Sequence, residues 1–513
     1  MAVKKSLPAL LLLALLSAPS ADAVPPVEEE RVMPTMEERQ EAFGEINDLL
    51  TAGNKPEAAD GLLALTQNAD HEAFHAEAYA RLATLLNDLS LPYSALIANH
   101  KALTLDAEMV SSAVVPAVEQ AEKTGDLELL ENMLATNVAI EGDAATRGRI
   151  ALLAARAAHR SGQYALAGAV IKIVDSKHSQ YIEAKSLEGV VLAMQGRHSD
   201  ALAPLLTAQS MAADSNRDDK QQNVIALNIG RAYFAMENFP RAIEFYAQVD
   251  RESSYWPEAQ FERAWAHFRL EDMNGTLALL QTLHSPFFSD WYFPEADLLR
   301  IYSLFLMCKF PEASKEISAF QEHYKPVHQT LAVLSAQPGS DLFDMVAAHI
   351  AGESTDLPPM ITRIYEDEER IKDNLRALEQ ADIELRRLKG NPNAYAATAT
   401  EWLTGRRGDL LASEGERIKA RVQSMEAELN VMLNDSEISK LDILQMETRL
   451  YERAAQVGEM PDAREVVRRD FRTRKGQVFW PWQGEYWADE AGYYKFSARP
   501  ECPSGMTPGT GGR

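Results

Sequence analysis

Cysteine is almost missing from this chain, with two in 513 residues, which excludes a disulfide-framework fold and a four-thiolate zinc site. Basic residues are scarce too: 51 Lys plus Arg stand against 76 Asp plus Glu, for a net charge of −25. A chain this acidic repels phosphate backbones and anionic lipid, so no nucleic-acid partner is expected. No uninterrupted apolar run reaches the roughly 18 residues a bilayer-spanning helix needs, so no integral membrane segment is expected after leader removal. The patterns G-x-x-x-x-G-K-[ST], G-x-S-x-G, C-x-x-C and G-x-G-x-x-G are also missing, which leaves the usual nucleotide-binding, hydrolase and thiol-redox chemistries without sequence support. What is present is 46% hydrophobic and 25% charged residues, a globular composition with enough apolar material for a large core.

Residues 1–23 read as a secretory signal peptide. Lys4 and Lys5 form the charged start, Leu7 to Leu16 the apolar stretch, and Ala21-Asp22-Ala23 the small-x-small site, with cleavage expected after Ala23. Ten apolar residues are too few to span about 30 Å of hydrocarbon. No cysteine follows them to carry a lipid. The expected destination is periplasmic, reached through a linker over residues 24–36.

Self-similarity organises the next part. Within Val224–Val249, Gly230, Tyr233, Ala242 and Tyr246 stand at spacings of three, nine and four, and Ala264, His267, Thr276 and Leu280 repeat them 34 residues later. Gly189, Leu192, Ala201 and Leu205 precede them at the same spacing, as do Ala155, Ala158 and Ala167. Ala296 opens a further unit with Ala313 as its small residue, and weaker copies lie near Ile46, Ala83 and Val118. Small residues at such positions suit the closest approach of two antiparallel helices, with larger apolar ones filling the neighbouring gaps.

A helix-turn-helix period of this kind resembles the tetratricopeptide repeat (TPR), and the leader and aromatic ending are similar to those of exported bacterial envelope TPR proteins. The resemblance implies an all-α helical solenoid of about eight repeats over residues 37–327. It also implies that the first helix of each pair lines a concave groove. Leu227, Arg231 and Phe234, then Phe261, Trp265 and Phe268, then Leu298, Tyr302 and Phe305 would present an aromatic stripe there. The i, i+4, i+7 spacing keeps each trio on one helix face. Such a stripe fits an amphipathic helix or extended apolar peptide of a protein partner. It lacks the Lys and Asn of a carboxylate clamp. Cover by the tail or by later helices would make the same residues core.

After a helical cap and linker over 328–358, apolar residues follow a heptad: Ile361, Ile364, Ile371, Leu375, Leu378 and Leu385, with Glu368 and Asp382 in the seam. Lys389-Gly390-Asn391-Pro392-Asn393 marks a turn. A second run holds Leu411, Ile418, Val422, Met425, Leu429, Met432, Ile443, Met446 and Leu450, interrupted by Ser436 and Ser439. The pattern resembles an antiparallel coiled-coil hairpin over 359–458, either projecting for reach and self-association or folded back on the repeats.

Residues 459–513 differ: a basic stretch with Arg464, Arg468, Arg469, Arg472, Arg474 and Lys475, then eight aromatics between Phe479 and Phe496. Pro481 and Gly484 disfavour helix, so irregular structure is expected, ending in a disordered PSGMTPGTGGR. Cys308 is expected to be a buried thiol unrelated to Cys502, the alternative being a disulfide that staples the tail to the solenoid.

One enzyme-like match exists, His71-Glu72-Ala73-Phe74-His75, which on a helix would place two histidines for zinc beside a glutamate base. Ala78 and Arg81 stand where an extended zinc motif needs glycine and a third histidine. The expected function is therefore a non-enzymatic scaffold for protein partners in the cell envelope, with no cofactor, metal or catalytic residue. The alternatives are a zinc metallopeptidase centred on residues 71–75, and a cell-wall glycan binder using Trp480, Trp482 and Trp487.

Overall fold

A computed structural model describes residues 35–106, 111–130, 143–214, 219–366, 368–457, 483–500 and 502. The signal peptide, the basic stretch, Trp480 and Trp482 lie outside the described residues. Every regular element described is a helix. In chain order these are α1 Met36–Thr51, α2 Lys55–Gln67, α3 His75–Asp88, α4 Pro92–Leu105, α5 Val114–Thr124, α6 Ala144–Arg160, α7 Tyr164–Val170 and α8 Tyr181–Met194. Then come α9 His198–Asp214, α10 Asp219–Ala235, α11 Phe239–Tyr246, α12 Trp256–Arg269, α13 Met273–Leu283, α14 Pro294–Leu306 and α15 Phe310–Ser335. The last are α16 Gly339–Ile350, α17 Pro359–Glu366, α18 Glu369–Leu388 and α19 Ala394–Val457. The architecture is an all-α solenoid followed by an unequal helical hairpin.

Seven helix pairs share one turn. Gly53, Ser90, Gly162, Gly196, Glu237, Glu271 and Cys308 each sit between the helices of a pair with φ between 55° and 77°. The residue after each donates its N–H to the carbonyl five positions back, as in Leu91 to Leu86, Asp272 to His267 and Lys309 to Leu304. This left-handed helix stop satisfies an orphan carbonyl and turns the chain into its partner helix.

Within the pairs, the small residues do what their spacing implied. A Cβ at Gly189 would lie 2.4 Å from the Leu205 side chain, and one at Gly230 would lie 2.5 Å from the Tyr246 ring. Thr276 reaches across its own pair to the Ala264 carbonyl at 3.4 Å. Each small residue therefore admits the large residue that sequence periodicity paired with it.

The heptad segment does not project. α17 and α18 are separate helices, so Ile361 and Ile364 do not continue the seam of α18. α18 has 20 residues against 64 in α19, so most of α19 has no partner in α18. It packs instead along α15 and α16, and also meets α2, α4 and α14. Ile418, Val422, Met425, Leu429 and Ile443 are buried there. Ser436 is buried as well and receives a hydrogen bond from Gln321 of α15 at 3.1 Å, so the seam interruption is a polar contact. At Gly339 and Gly415 the backbones of α16 and α19 touch; a Cβ on either would lie within 2.7 Å of the other's carbonyl group. The seam expected to serve self-association is thus buried within the same chain. α15 also runs unbroken through Pro326 to Ser335, so no boundary falls at residue 327.

The other end of the hairpin is fixed to the first repeats. α4 starts with Pro92 and has no cap of its own. The Glu384 carboxylate of α18 supplies one, accepting from the Tyr93 and Ser94 amides at 2.5 and 2.9 Å and from the Ser94 hydroxyl at 2.7 Å. In return Asp60 of α2 accepts from the Tyr395 amide in the first turn of α19 at 2.7 Å. Arg406 of α19 grips buried Asp126 through Nε and Nη2, both at 2.7 Å, while the Tyr93 hydroxyl at 2.8 Å and the Leu129 amide at 3.1 Å complete that carboxylate. From Tyr395 to Ser436, α19 spans about 60 Å, enough to link the first repeat to the last.

Candidate functional site

The stripe residues take different positions. Leu227 is buried against Phe239 and Tyr246, so it is core and does not line a groove. Arg231 ties neighbouring first helices together, reaching Glu258 and Glu262 of α12 at 2.6 Å each. Burial works against its charge, yet the two carboxylates hold its pKa above the ordinary arginine value. Burial pushes the Glu262 carboxyl upward, opposed by Arg231. This ion pair makes Arg231 an inter-repeat tie.

The aromatic members are partly open. Phe234 packs edge-on against Phe239 at 5.3 Å and Trp265 against Phe268 at 5.6 Å, leaving each half-buried. Phe305 is half-buried against Phe310. Tyr302 is exposed, and Leu298 is half-buried against the core. Phe261 faces the long helix, sharing a cleft with Tyr292, Arg421, Met425 and Met432.

Sequence reading missed the residues that extend this surface. Met236 and Leu270 directly precede the left-handed turns, and Leu306 ends α14; all three are exposed. An apolar residue repeated at the rim of three successive first helices was the available signal. Together with Phe234, Phe268 and Tyr302 they form an apolar edge along α10, α12 and α14.

The tail lies on the other side of the pairs. Residues 483–500 form an irregular strap over α13. The Gln281 side chain donates to the Tyr486 hydroxyl at 2.9 Å, and the Gly492 amide donates to Thr282 at 3.0 Å. Asn274 clasps the strap in both directions, donating to the Ala498 carbonyl at 3.1 Å and accepting its amide at 2.8 Å. Gly492 lies against Trp256 with no room for a Cβ. Cys502 is disulfide-bonded to Cys308, with a Cα separation of 5.1 Å, which corrects the expectation of two unrelated thiols. The αL turn brings Cys308 to the surface edge where the strap ends; sequence spacing across 194 residues could not show that approach.

The histidine motif is not assembled for metal. His71 has non-helical angles (φ −120°, ψ 27°) inside a short 3-10 segment, and α3 begins only at His75. His75 Nε2 lies 2.8 Å from the Asn68 carbonyl. The kink removes the shared helix face that the zinc reading needs. Among the described residues no group of three or more His, Cys, Asp or Glu side chains is placed to hold a metal ion. Among them too, no helix is long and apolar enough to cross a membrane.

No family model matches this chain, and no curated protein does. Solved structures give distant likenesses. A tetratricopeptide repeat protein from Parabacteroides merdae is 14% identical, with 52% of this chain and 99% of that one covered and a TM-score of 0.27. The C-terminal part of a TPR repeat-containing protein from Cytophaga hutchinsonii is 16% identical, covering 55% and 97%, at a TM-score of 0.32. The Naa15/Naa10 complex bound to HypK gives 12% identity, 82% and 63% coverage, and a TM-score of 0.33. The TPR-like fold therefore rests on the helix pairs and their common turn.

Proposed function

We propose that this chain is an exported, non-enzymatic scaffold that holds a protein partner in the cell envelope. The observation that carries the reading is the apolar edge repeated on α10, α12 and α14, where Met236, Leu270 and Tyr302 stay exposed. Rigid aromatics beside exposed aliphatics suit the apolar face of a partner helix or an extended peptide. The signal-peptide pattern supports export, and the Cys308–Cys502 disulfide agrees with an oxidising compartment.

The test uses the exposed pair, because Trp265 and Phe268 also support packing. The mature wild-type chain is used to capture partners from envelope extract, beside Leu270→Asp combined with Tyr302→Asp. Capture by wild type, lost in the double variant at unchanged far-ultraviolet circular dichroism, supports the reading. Equal capture by both proteins overturns it.

A further inference from the structure

The strap is held in a way that differs from every other contact in the molecule. Among its described residues only Ala491 is fully buried, while Trp487 and Tyr493 point largely into solvent. Its attachments are polar and directed at main chain: Asn274 on Ala498, Thr282 on Gly492, and Arg251 on the Asp489 carbonyl at 3.1 Å. A carboxamide that gives and takes one hydrogen bond with the same residue reads an extended backbone without reading its side chain. The surface beneath, from Trp256 through Asn274 to Thr282, is therefore built to hold an extended peptide.

Such contacts are individually weak, and they must offset the ordering of a long irregular segment. The covalent bond at Cys502 makes the difference. Its sulfur is the accessible one: Cys502 is half-buried, whereas Cys308 is almost fully buried. A thiolate would attack the Cys502 sulfur and release Cys308 as the leaving group.

We propose that the outer face of α12–α13 is an extended-peptide site, occupied in cis by residues 486–502 and locked there by the Cys308–Cys502 disulfide. A dithiol reductant unlocks it: two electrons and two protons pass to the chain's sulfurs, leaving two thiols, and the reductant becomes its own disulfide. Once open, the site takes the same segment from a second copy, whose Cys502 pairs with the vacated Cys308. This site is separate from the apolar edge on the first helices and does not depend on it.

The test uses the full mature chain. Amide hydrogen exchange of residues 486–498 is compared before and after reduction, and again in Cys502→Ser. At least a ten-fold faster exchange is expected in both unlocked forms, with helical exchange unchanged. Cys502→Ser is then incubated, under mild oxidation, with a synthetic peptide of residues 485–502 or a scrambled peptide keeping its cysteine. Mass spectrometry should find the native peptide on Cys308 at least ten-fold in excess of the scrambled one, with the preference lost in Asn274→Ala combined with Cys502→Ser. Unchanged strap protection after reduction overturns the lock. Equal labelling by the two peptides overturns the peptide site.

Discussion

The hairpin and the strap both fold back on the repeats, by opposite means. Where α18 and α19 meet α2, α4 and the end of α5, charged groups are buried and fully used. Asp126 and Glu414 have no exposure; Asp126 accepts four hydrogen bonds, and Glu414 is held by Arg370 at 2.6 Å and Arg417 at 2.8 Å. The strap buries almost no side chain and relies on main-chain hydrogen bonds plus one disulfide. Buried charges of the first kind cannot separate without exposing an unpaired ion, so that junction behaves as core. The second kind opens when one covalent bond is cut. One return of the chain is architecture and the other is a fastening.

The largest expected effect breaks the first junction. Arg406→Ala leaves the Asp126 carboxylate buried without its cation and should cost about 3–5 kcal/mol, read from denaturant unfolding. Strap protection should not change. A loss below about 1 kcal/mol, the range of exposed pairs, would show that the hairpin rests on the repeats as a surface contact.

Glu384→Ala should cost about 2 kcal/mol by leaving the Tyr93 and Ser94 amides unsatisfied. Its titration gives a sharper test. Burial raises the Glu384 carboxyl above its ordinary 4.5, opposed by the Tyr93 and Ser94 bonds. The folded chain therefore binds this proton more tightly than the unfolded chain. Its contribution to stability is greatest below pH 4.5 and declines as pH rises through the folded pKa. The stability of wild type relative to Glu384→Gln should fall with pH across that window and then level off. A difference that grows with pH would mean the folded pKa lies below the ordinary value.

At the second junction, Asn274→Ala in the oxidised chain removes a two-way clasp. Opening of the strap, followed by hydrogen exchange, should become easier by about 1 kcal/mol, the net worth of ordinary hydrogen bonds. Global unfolding should not move.

These two junctions also separate what the sequence could show from what it could not. Gly189, Gly230, Ala264 and their large partners were legible because helix-on-helix packing within a pair is local and repeats. The groove was only half legible: spacing put Leu227 and Tyr302 on a common face, yet the first is core and the second exposed. The heptads fixed which face of α19 is buried, but Ile418 and Leu429 would look the same against α18 or against α15. Glu384 gave no sign that it would cap a helix 290 residues earlier. Likewise Cys308 and Cys502 are 194 residues apart, and only folding brings them together. Long-range polar pairing carries no periodicity, so a single sequence does not display it.

The smallest prediction concerns the turn common to all seven pairs, including the one that ends at the disulfide. Glycine occupies it at Gly53, Gly162 and Gly196, while Ser90, Glu237, Glu271 and Cys308 hold positive φ at a cost that glycine avoids. Exposed Glu271 has φ 60° at the end of α12, so Glu271→Gly should raise stability by about 0.5 kcal/mol after the greater freedom of the unfolded chain is subtracted. Glu237 is a poorer choice because its carboxylate also pairs with Arg269 at 3.3 Å. The reverse change, Gly196→Ala, meets no atom within 4 Å. Any loss there reports the backbone angle alone, and about 1 kcal/mol is expected. If both substitutions were neutral in thermal unfolding, the turn would be adopting a different backbone in solution, and the common stop that sets one helix against its partner would have to be sought in the packing of the pairs.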